Sequence, residues 1–265
     1  MTPDSAAGDI SEALARAGAR LGMCRGRVQV LSEVTSTNDV AARLAEQAAA
    51  EGTVIVADAQ SAGRGRLGRS WASPPRAGLY ASVVLRPRPH ALPLVTLTAG
   101  VAIADGCEDA TGLRAILKWP NDLYVGPRKL AGILAEAGTG TAAVSPHVVV
   151  GFGINLMPAA YPPDVAARAT SLEGELGRPV DRGLVLAGCL AALAARYDDL
   201  QAGRTQSILD AWRQRAASTF GRRVEWTSAH GREQGVVLDI DGSGALLVRA
   251  AQGTERVVSG ELRWL

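Results

Sequence analysis

The chain has 265 residues, 47% of them hydrophobic, with 28 Lys and Arg set against 26 Asp and Glu for a formal charge of +2, which allows one substantial core and a small second module. A charge so near neutral excludes a bulk polyanion binder, so any electropositive surface has to be local. Three widely spaced cysteines, Cys24, Cys107 and Cys189, with no C-x-x-C pair, exclude a secreted disulfide scaffold and fit buried thiols in a reducing compartment.

The opening Met-Thr-Pro-Asp-Ser lacks the basic and apolar regions of a signal peptide. Residues 1–24 carry one short helical pattern, Ile10, Leu14, Ala17 and Leu21, too small for a winged helix-turn-helix unit. The main core is predicted over residues 25–217. Val28 to Leu31 reads as a strand leading into Thr35-Ser36-Thr37-Asn38-Asp39. There a hydroxyl or amide cap, with Ser36 and Asp39 at capping-box spacing, starts an Ala/Leu-rich helix to about Ala50. Thr53 to Ala57 is a β-branched strand, and Leu79 to Arg86 is another after the Pro74-Pro75 break. Following Pro93, Leu94 to Glu108 reads as an apolar helix. Ala115 to Lys118 is a strand running into Trp119-Pro120-Asn121-Asp122, where the proline favours an extended or turn geometry. Leu130 to Glu136 and Val148 to Leu156 are strands, and Gly183 to Leu200 is a helix whose apolar run, Leu184 to Ala195, is too short to span a bilayer. From residue 218 the texture changes to short β runs, Val224 to Trp226, Val236 to Ile240, Ala245 to Arg249 and Arg256 to Ser259, broken by Ala-His-Gly, Asp-Gly-Ser-Gly and Gln-Gly-Thr turns. A small all-β module over 218–265 is thus appended to a mixed α/β core. The expectation is a cytoplasmic protein with neither membrane nor nucleic acid as partner.

Lysine occurs twice, at Lys118 and Lys129, in a chain with 28 Lys and Arg in all. In so arginine-biased a chain, a retained lysine points to a need for a compact point charge rather than a planar fork. From Ala59 to Ala104 there is no acidic residue, while Arg64, Arg66, Arg69, Arg76, Arg86 and Arg88 accumulate. The densest part, Gly63-Arg64-Gly65-Arg66-Leu67-Gly68-Arg69-Ser70-Trp71, offers backbone that approaches a ligand closely and forked donors for phosphate or carboxylate. Its glycines spell G-x-G-x-x-G, but a Rossmann turn opens a helix and places an acidic residue about 20 positions on. Here Pro74-Pro75 intervenes and the next carboxylate is Asp105. A P-loop G-K-[ST] is missing too. The plain alternative is a flexible surface loop.

Ser36, Thr37, Asn38 and Gln60 form a neutral polar set, though such residues at a helix start are by default caps. Trp71, Trp119 and Trp212 read by default as core aromatics, with Trp71 also placed to stack on a base. Asn121, Asp122 and Lys129 by default belong to a turn and the surface. Gly151-Phe152-Gly153-Ile154-Asn155 ends an apolar strand with room for close backbone approach, or else marks a β-bulge. His90, His147 and His230 are isolated, so no structural metal and no Ser-His-Asp centre is assigned.

Taken in order, S-T-N (36–38), Q-S-A-G-R-G-R-L-G-R-S-W (60–71), K-W-P-N-D (118–122), R-K-L-A-G-I-L (128–134) and G-F-G-I-N (151–155) resemble the signature of bacterial biotin protein ligases. The likeness covers most of residues 30–160 and continues more loosely into the C-terminal module. It implies an α+β catalytic domain akin to the class II aminoacyl-tRNA synthetase and lipoate ligase folds, followed by a small SH3-like barrel. It further implies that biotin is joined to ATP, with Mg²⁺ held by triphosphate and water, to give biotinoyl-5′-AMP and pyrophosphate. The acyl group would then pass to a lysine of the biotin carboxyl carrier protein of acetyl-CoA or a related carboxylase.

By the same resemblance Ser36, Thr37, Asn38 and Gln60 face the ureido ring, with Gly132, Gly151 and Gly153 completing the biotin side. Arg64, Gly65 and Arg66 belong to a loop that orders over biotin and adenylate, and Arg69, Trp71, Asn121, Asp122 and Asn155 to the nucleotide side. Lys129 bridges carboxyl and α-phosphate, Arg66 stabilises charge, and Asp122 orients or deprotonates the incoming amine. The winged helix of the repressor branch is not expected, nor repressor activity, and either a monomer or a homodimer is allowed. A lipoate or octanoate ligase on the same core is the competing enzyme. A non-catalytic nucleotide sensor is the competing class, and it would not explain two retained lysines beside Asn121-Asp122.

Overall fold

The computed structural model describes residues 4–140, 145–228, 231–260 and 262–265. In chain order these form α1 (Asp4–Ala17), a 3-10 segment (Gly18–Cys24), β1 (Val28–Val34), α2 (Thr37–Glu46), β2 (Val54–Gln60), β3 (Gly78–Leu85), α3 (Val95–Thr111), β4 (Ile116–Lys118), β5 (Asp122–Val125), β6 (Arg128–Gly138) and β7 (His147–Asn155). Then come α4 (Leu172–Leu176), α5 (Arg182–Gln201), α6 (Thr205–Arg215) and five strands, β8 (Arg223–Ser228), β9 (Gly231–Ile240), β10 (Leu246–Ala250), β11 (Gly253–Val257) and β12 (Leu262–Trp264). His230 and the turn at 229–230 lie outside the described residues.

Seven strands form one sheet in the order β1-β2-β3-β7-β6-β5-β4, with β1 and β2 parallel and the other neighbours antiparallel. Side chains alternate between its faces. Val54, Val56, Val83, Leu85, Val148 and Val150 pack into the large core shared with α3 and α5, whereas Ile55, Val84 and Val149 meet Ala41 and Ala45 of α2 on the opposite face. Because α2 covers part of that second face, the remainder is left to form a cleft.

The apolar stretch Pro89–Thr111, a 3-10 lead-in continuous with α3, has the length and hydropathy of a membrane span, yet 72% of its window is buried inside the fold. It serves as the central core helix. α3 and α5 touch backbone to backbone, since a Cβ on Gly106 would collide with Cys189 Cα and N. All three cysteines are free and buried, as expected; burial pushes the Cys24 thiol up to about 12. The segment from Ile10 to Cys24 packs on the same layer, with Ile10, Leu21 and Cys24 in the core and Leu14 and Ala17 against it.

The C-terminal strands form a five-stranded antiparallel sheet in the order β11-β10-β9-β8-β12. Its interior residues, Val224, Trp226, Leu246 and Val248 among them, belong to the same buried cluster as Leu97 and Trp119. The module is also tied down by Arg213 of α6, whose Nε lies 2.8 Å from Asp239, and by the Trp119 Nε1–H donated to Gly244 O at 3.0 Å.

Several elements escape the periodicity of the sequence. β5, β12 and α4 are too short for a pattern to announce them, whereas α6, not among the expected elements, does carry an apolar face, Ile208, Leu209 and Trp212. The α2 helix stops at Glu46 rather than near Ala50, with Ala48 in a left-handed conformation (φ 63°). The capping box fails as well: Ser36 occupies the N-cap position but its side chain makes no cap bond. The Thr37 N–H is donated to Gln60 Oε1 at 2.8 Å, and Asp39, the other half of the expected box, is drawn into an ion pair with Arg64.

Candidate active site

A cleft of about 690 Å³ opens on the α2 side of the sheet. Ser36, Thr37, Asn38, Gln60, Arg64, Gly65, Arg66, Arg69, Trp71, Asn121, Asp122, Lys129, Gly132, Gly151, Gly153 and Asn155 all line it, so residues spread over more than a hundred positions converge. A second cavity, of about 770 Å³, lies between the Arg64–Gly68 loop, the start of α3 and Ser243 to Ala245 of the C-terminal module. Lys129, Asp122 and Trp71 border the first cavity and not the second.

At one end the walls are neutral and polar. Ser82 Oγ lies 2.8 Å from Thr37 Oγ1 and 2.6 Å from Asn38 Oδ1, so its one hydroxyl proton serves either oxygen. Asn38 Nδ2 donates to Glu136 at 2.6 Å, and Gln60 bridges Thr37 to Ser73 Oγ. Thr37 and Asn38 are nevertheless almost completely buried, so they belong to a fixed network rather than to a mobile cap. This network would hold a neutral polar group by direction rather than by charge.

The glycines of the floor are explained by what rests on them. A Cβ on Gly151 would collide with Asn38 Oδ1, and one on Gly153 would stand 2.5 Å from Trp71 Nε1. One on Gly132 would lie 3.2 Å from the Trp71 ring and 3.3 Å from Lys129 Nζ. Meanwhile β7 pairs in unbroken register with β3 and β6, so the bulge alternative does not apply. Trp71 is therefore a cleft residue, whereas Trp212 is buried in the core and Trp119 is buried with only its edge on the cleft. Its Nε1–H is buried and has no hydrogen-bond partner among the described residues.

Beside Trp71 sits the charged centre. Lys129 Nζ lies 2.7 Å from Asp122 Oδ1 and 5.3 Å from the Trp71 ring centroid. The Lys129 backbone is held by residues that carry no recognisable motif: its N–H is donated to Arg168 O at 2.8 Å, and its carbonyl accepts from Thr170 N at 2.9 Å. Asn155 Nδ2 donates to Thr170 O at 2.9 Å, so this amide secures the segment that secures Lys129.

The arginine loop closes as a hairpin, with Gly65 N–H to Arg69 O at 2.7 Å and Trp71 N–H to Gly63 O at 2.8 Å. Leu67 and Gly68 at its tip have φ of 56° and 72°. Arg66 donates to Asn121 Oδ1 at 3.1 Å, while Asn121 Nδ2 donates to Ile133 O at 2.7 Å, linking the loop to β6. Arg64 behaves differently: it is paired at 2.6 Å with Asp39 and at 2.8 Å with Glu136. An acid-free segment of sequence thus acquires two carboxylates from other elements. Glu136 joins the site unannounced by any motif, although a lone acid between apolar strand residues, Ala135-Glu136-Ala137, is a usable signal. Ser82, Arg168 and Thr170 carry none. Among the described residues, no group of three or more His, Cys, Asp or Glu could hold a metal ion.

Residues 30–155 match the Biotin/lipoate A/B protein ligase family, and residues 219–262 match the Biotin protein ligase C terminal domain. The chain is 33% identical over 259 residues to the bifunctional ligase/repressor BirA of Bacillus subtilis, covering 96% of this chain and 79% of that protein. It is 35% identical over 243 residues to the biotin–[acetyl-CoA-carboxylase] ligase of Paracoccus denitrificans, covering 88% of this chain and 98% of that one. The solved biotin protein ligase from Aquifex aeolicus in complex with biotin and ATP superposes with a TM-score of 0.77 at 30% identity, covering 91% of this chain and 99% of the other. With both sequence segments, the full-length relatives and the fold in agreement, the chain belongs to the biotin protein ligase family.

Proposed function

We propose that this cleft joins biotin to ATP, forming biotinoyl-5′-AMP and pyrophosphate, and then transfers the biotinoyl group to a lysine of a biotin carboxyl carrier protein in the cytoplasm. The observation that carries this reading is Lys129, held 2.7 Å from Asp122 under Trp71, between the neutral network of Asn38 and the arginine loop. In the first step a biotin carboxylate oxygen attacks the α-phosphorus and pyrophosphate leaves. Two anions must meet, so Lys129 bridges carboxylate and α-phosphate as a point charge, and Arg66 stabilises the charge that builds on the phosphoryl oxygens. A magnesium ion held by the triphosphate and water would supply further charge neutralisation. No protein nucleophile is required. In the second step the carrier amine attacks the acyl carbon and AMP departs, with Asp122 placed to orient the amine or accept its proton. The buried Asn38, Thr37 and Ser82 network favours a ureido ring over a plain acyl tail. Ile10, Ala13, Leu21 and Cys24 are buried against the catalytic core, which supports a ligase without a DNA-reading role for the N-terminal segment.

Purified protein with ATP and Mg²⁺ should release pyrophosphate with biotin and not with lipoate or octanoate. Release with lipoate or octanoate in preference to biotin would replace this reading, and no release with any of the three would reject it. Transfer is checked separately, by mass spectrometry of a carrier domain after addition of the biotin-activated enzyme.

A further inference from the structure

The chemistry proposed above gives Arg66 a task and leaves Arg64, two residues earlier in the same loop, without one. Arg64 stands at the base of the hairpin, in a bridge with Ser70 and beside the bond from Gly65 N–H to Arg69 O. Its guanidinium lies 2.6 Å from Asp39 of α2 through Nη1 and 2.8 Å from Glu136 of β6 through Nη2. A guanidinium held between two carboxylates is neutralised from both sides, so it is fitted to tether its loop rather than to receive an anion.

Glu136 has a second duty. Gly132, Leu134 and Glu136 are two residues apart along β6 and share the face that carries the cleft. At about 3.3 Å per residue, Glu136 stands roughly 13 Å along the strand from Gly132, too far from the centre beside that glycine for its carboxylate to touch the reacting phosphorus. The Oε2 that accepts from Arg64 also accepts from Asn38 Nδ2, at 2.6 Å. Asn38 is almost completely buried, and its Oδ1 lies 2.6 Å from Ser82 Oγ. The amide at the biotin end is therefore oriented from two sides, and one of them is the oxygen that tethers the loop. The contact also marks a boundary, since Arg64 borders both cavities and Glu136 only the second.

We propose that Glu136 is a positioning residue that couples the biotin end of the cleft to the arginine loop. It holds the Asn38 amide in the orientation that receives the ureido ring, and it holds Arg64 so that the hairpin stays over the adenylate, with Asp39 as the second tether. The inference rests on the proposed biotin activation. Biotinoyl-5′-AMP is a mixed anhydride that water or a stray amine consumes once it is released, so a wall that stays shut between the two half-reactions has a chemical purpose.

The test compares wild type with Glu136→Gln, Glu136→Leu, Asp39→Asn and Arg64→Gln, each loaded with biotin and ATP-Mg²⁺ and freed of excess by gel filtration. Escape of biotinoyl-5′-AMP is timed after a biotin chase, biotin affinity is measured by calorimetry, and folding by thermal melts. Glu136→Gln removes the charge but still offers an oxygen to Asn38. It should speed escape about fivefold, the scale of one half-exposed ion pair, while costing much less in biotin affinity. Asp39→Asn should speed escape by a similar factor. Glu136→Leu loses both duties and should weaken biotin binding as well. Adding Glu136→Gln to Arg64→Gln should change escape little more, because both act through one guanidinium. Wild-type retention of the adenylate by Glu136→Gln and Arg64→Gln would overturn the proposal, as would full additivity of that pair or escape that rises only in step with a falling melting temperature. Should Glu136→Leu fail to fold, Glu136→Gln, Asp39→Asn and the double variant decide the question by the same criteria. Wild type that forms no adenylate defeats the activation reading itself, whereas wild type that forms and keeps it, with variants that keep it equally well, defeats this inference alone.

Discussion

Along β7, Val148, Val150, Phe152 and Ile154 enter the core shared with α3 and α5, while Gly151, Gly153 and Asn155 floor the cleft on the other face. On the core face, side chains of the strand itself fill the space. On the cleft face the strand withholds side chains, and Asn38 and Trp71 from distant segments occupy the room that results. The same contrast separates Gly106, which lets two helices touch, from Gly151, which lets an amide reach the floor. Substitutions on the two faces should therefore act on different observables.

The largest effect is expected at the centre of the cleft. Lys129→Arg should lower the rate of biotin-dependent pyrophosphate release by about a hundredfold or more, roughly 3 kcal/mol, because a planar fork does not replace a point charge between carboxylate and phosphate. Its circular dichroism and melting temperature should match wild type. Near-normal turnover by folded Lys129→Arg would remove Lys129 from the reaction.

Next comes the core face. Gly106→Ala places a methyl against the Cys189 backbone, which cannot swing aside, and should cost about 2 kcal/mol in urea unfolding. Activity per folded molecule should survive. If stability is unchanged and activity falls, the division between faces is wrong.

A smaller change is expected from Gly151→Ala, where the new methyl meets the end of the Asn38 side chain, which can move. Displacing the amide should weaken biotin binding about tenfold by loss of its hydrogen bonds, with a smaller fall in stability than Gly106→Ala produces. Calorimetry and thermal melts on the pair decide this. Unchanged biotin affinity would show that the Asn38 network is structural only.

The smallest effect lies in the C-terminal module. Burial works to raise the pKa of Asp241, but hydrogen bonds from Arg256, Ser243 and the Ser243 and Ala245 backbone outweigh it and hold the carboxyl at about 2. Since the folded value is below the unfolded one, the stabilisation is fully present above about pH 4 and is lost as pH falls toward 2. Asp241→Asn should flatten that part of the acid limb in melts between pH 2 and 6. An identical acid limb would show that Asp241 does not contribute.

What the sequence determined is the set of side chains that the cleft brings together. The type of a residue states what it can do, so Lys129, the Arg64 to Trp71 loop, Asn121-Asp122 and the glycines of 151–153 were legible before any fold, as were the long strands and helices with a regular apolar period. Tertiary structure decided the partners. Asn38 meets Glu136 across 98 positions of chain, and the Thr37 N–H at the helix start finds its acceptor in Gln60 at the end of β2, 23 positions away. The 168–170 segment grips Lys129 through backbone groups, which every residue possesses and which therefore leave no mark in the sequence. Lys118 shows both halves: its rarity was visible in the composition, but the Trp264 ring beside it arrives from a separate module through packing that no local pattern encodes.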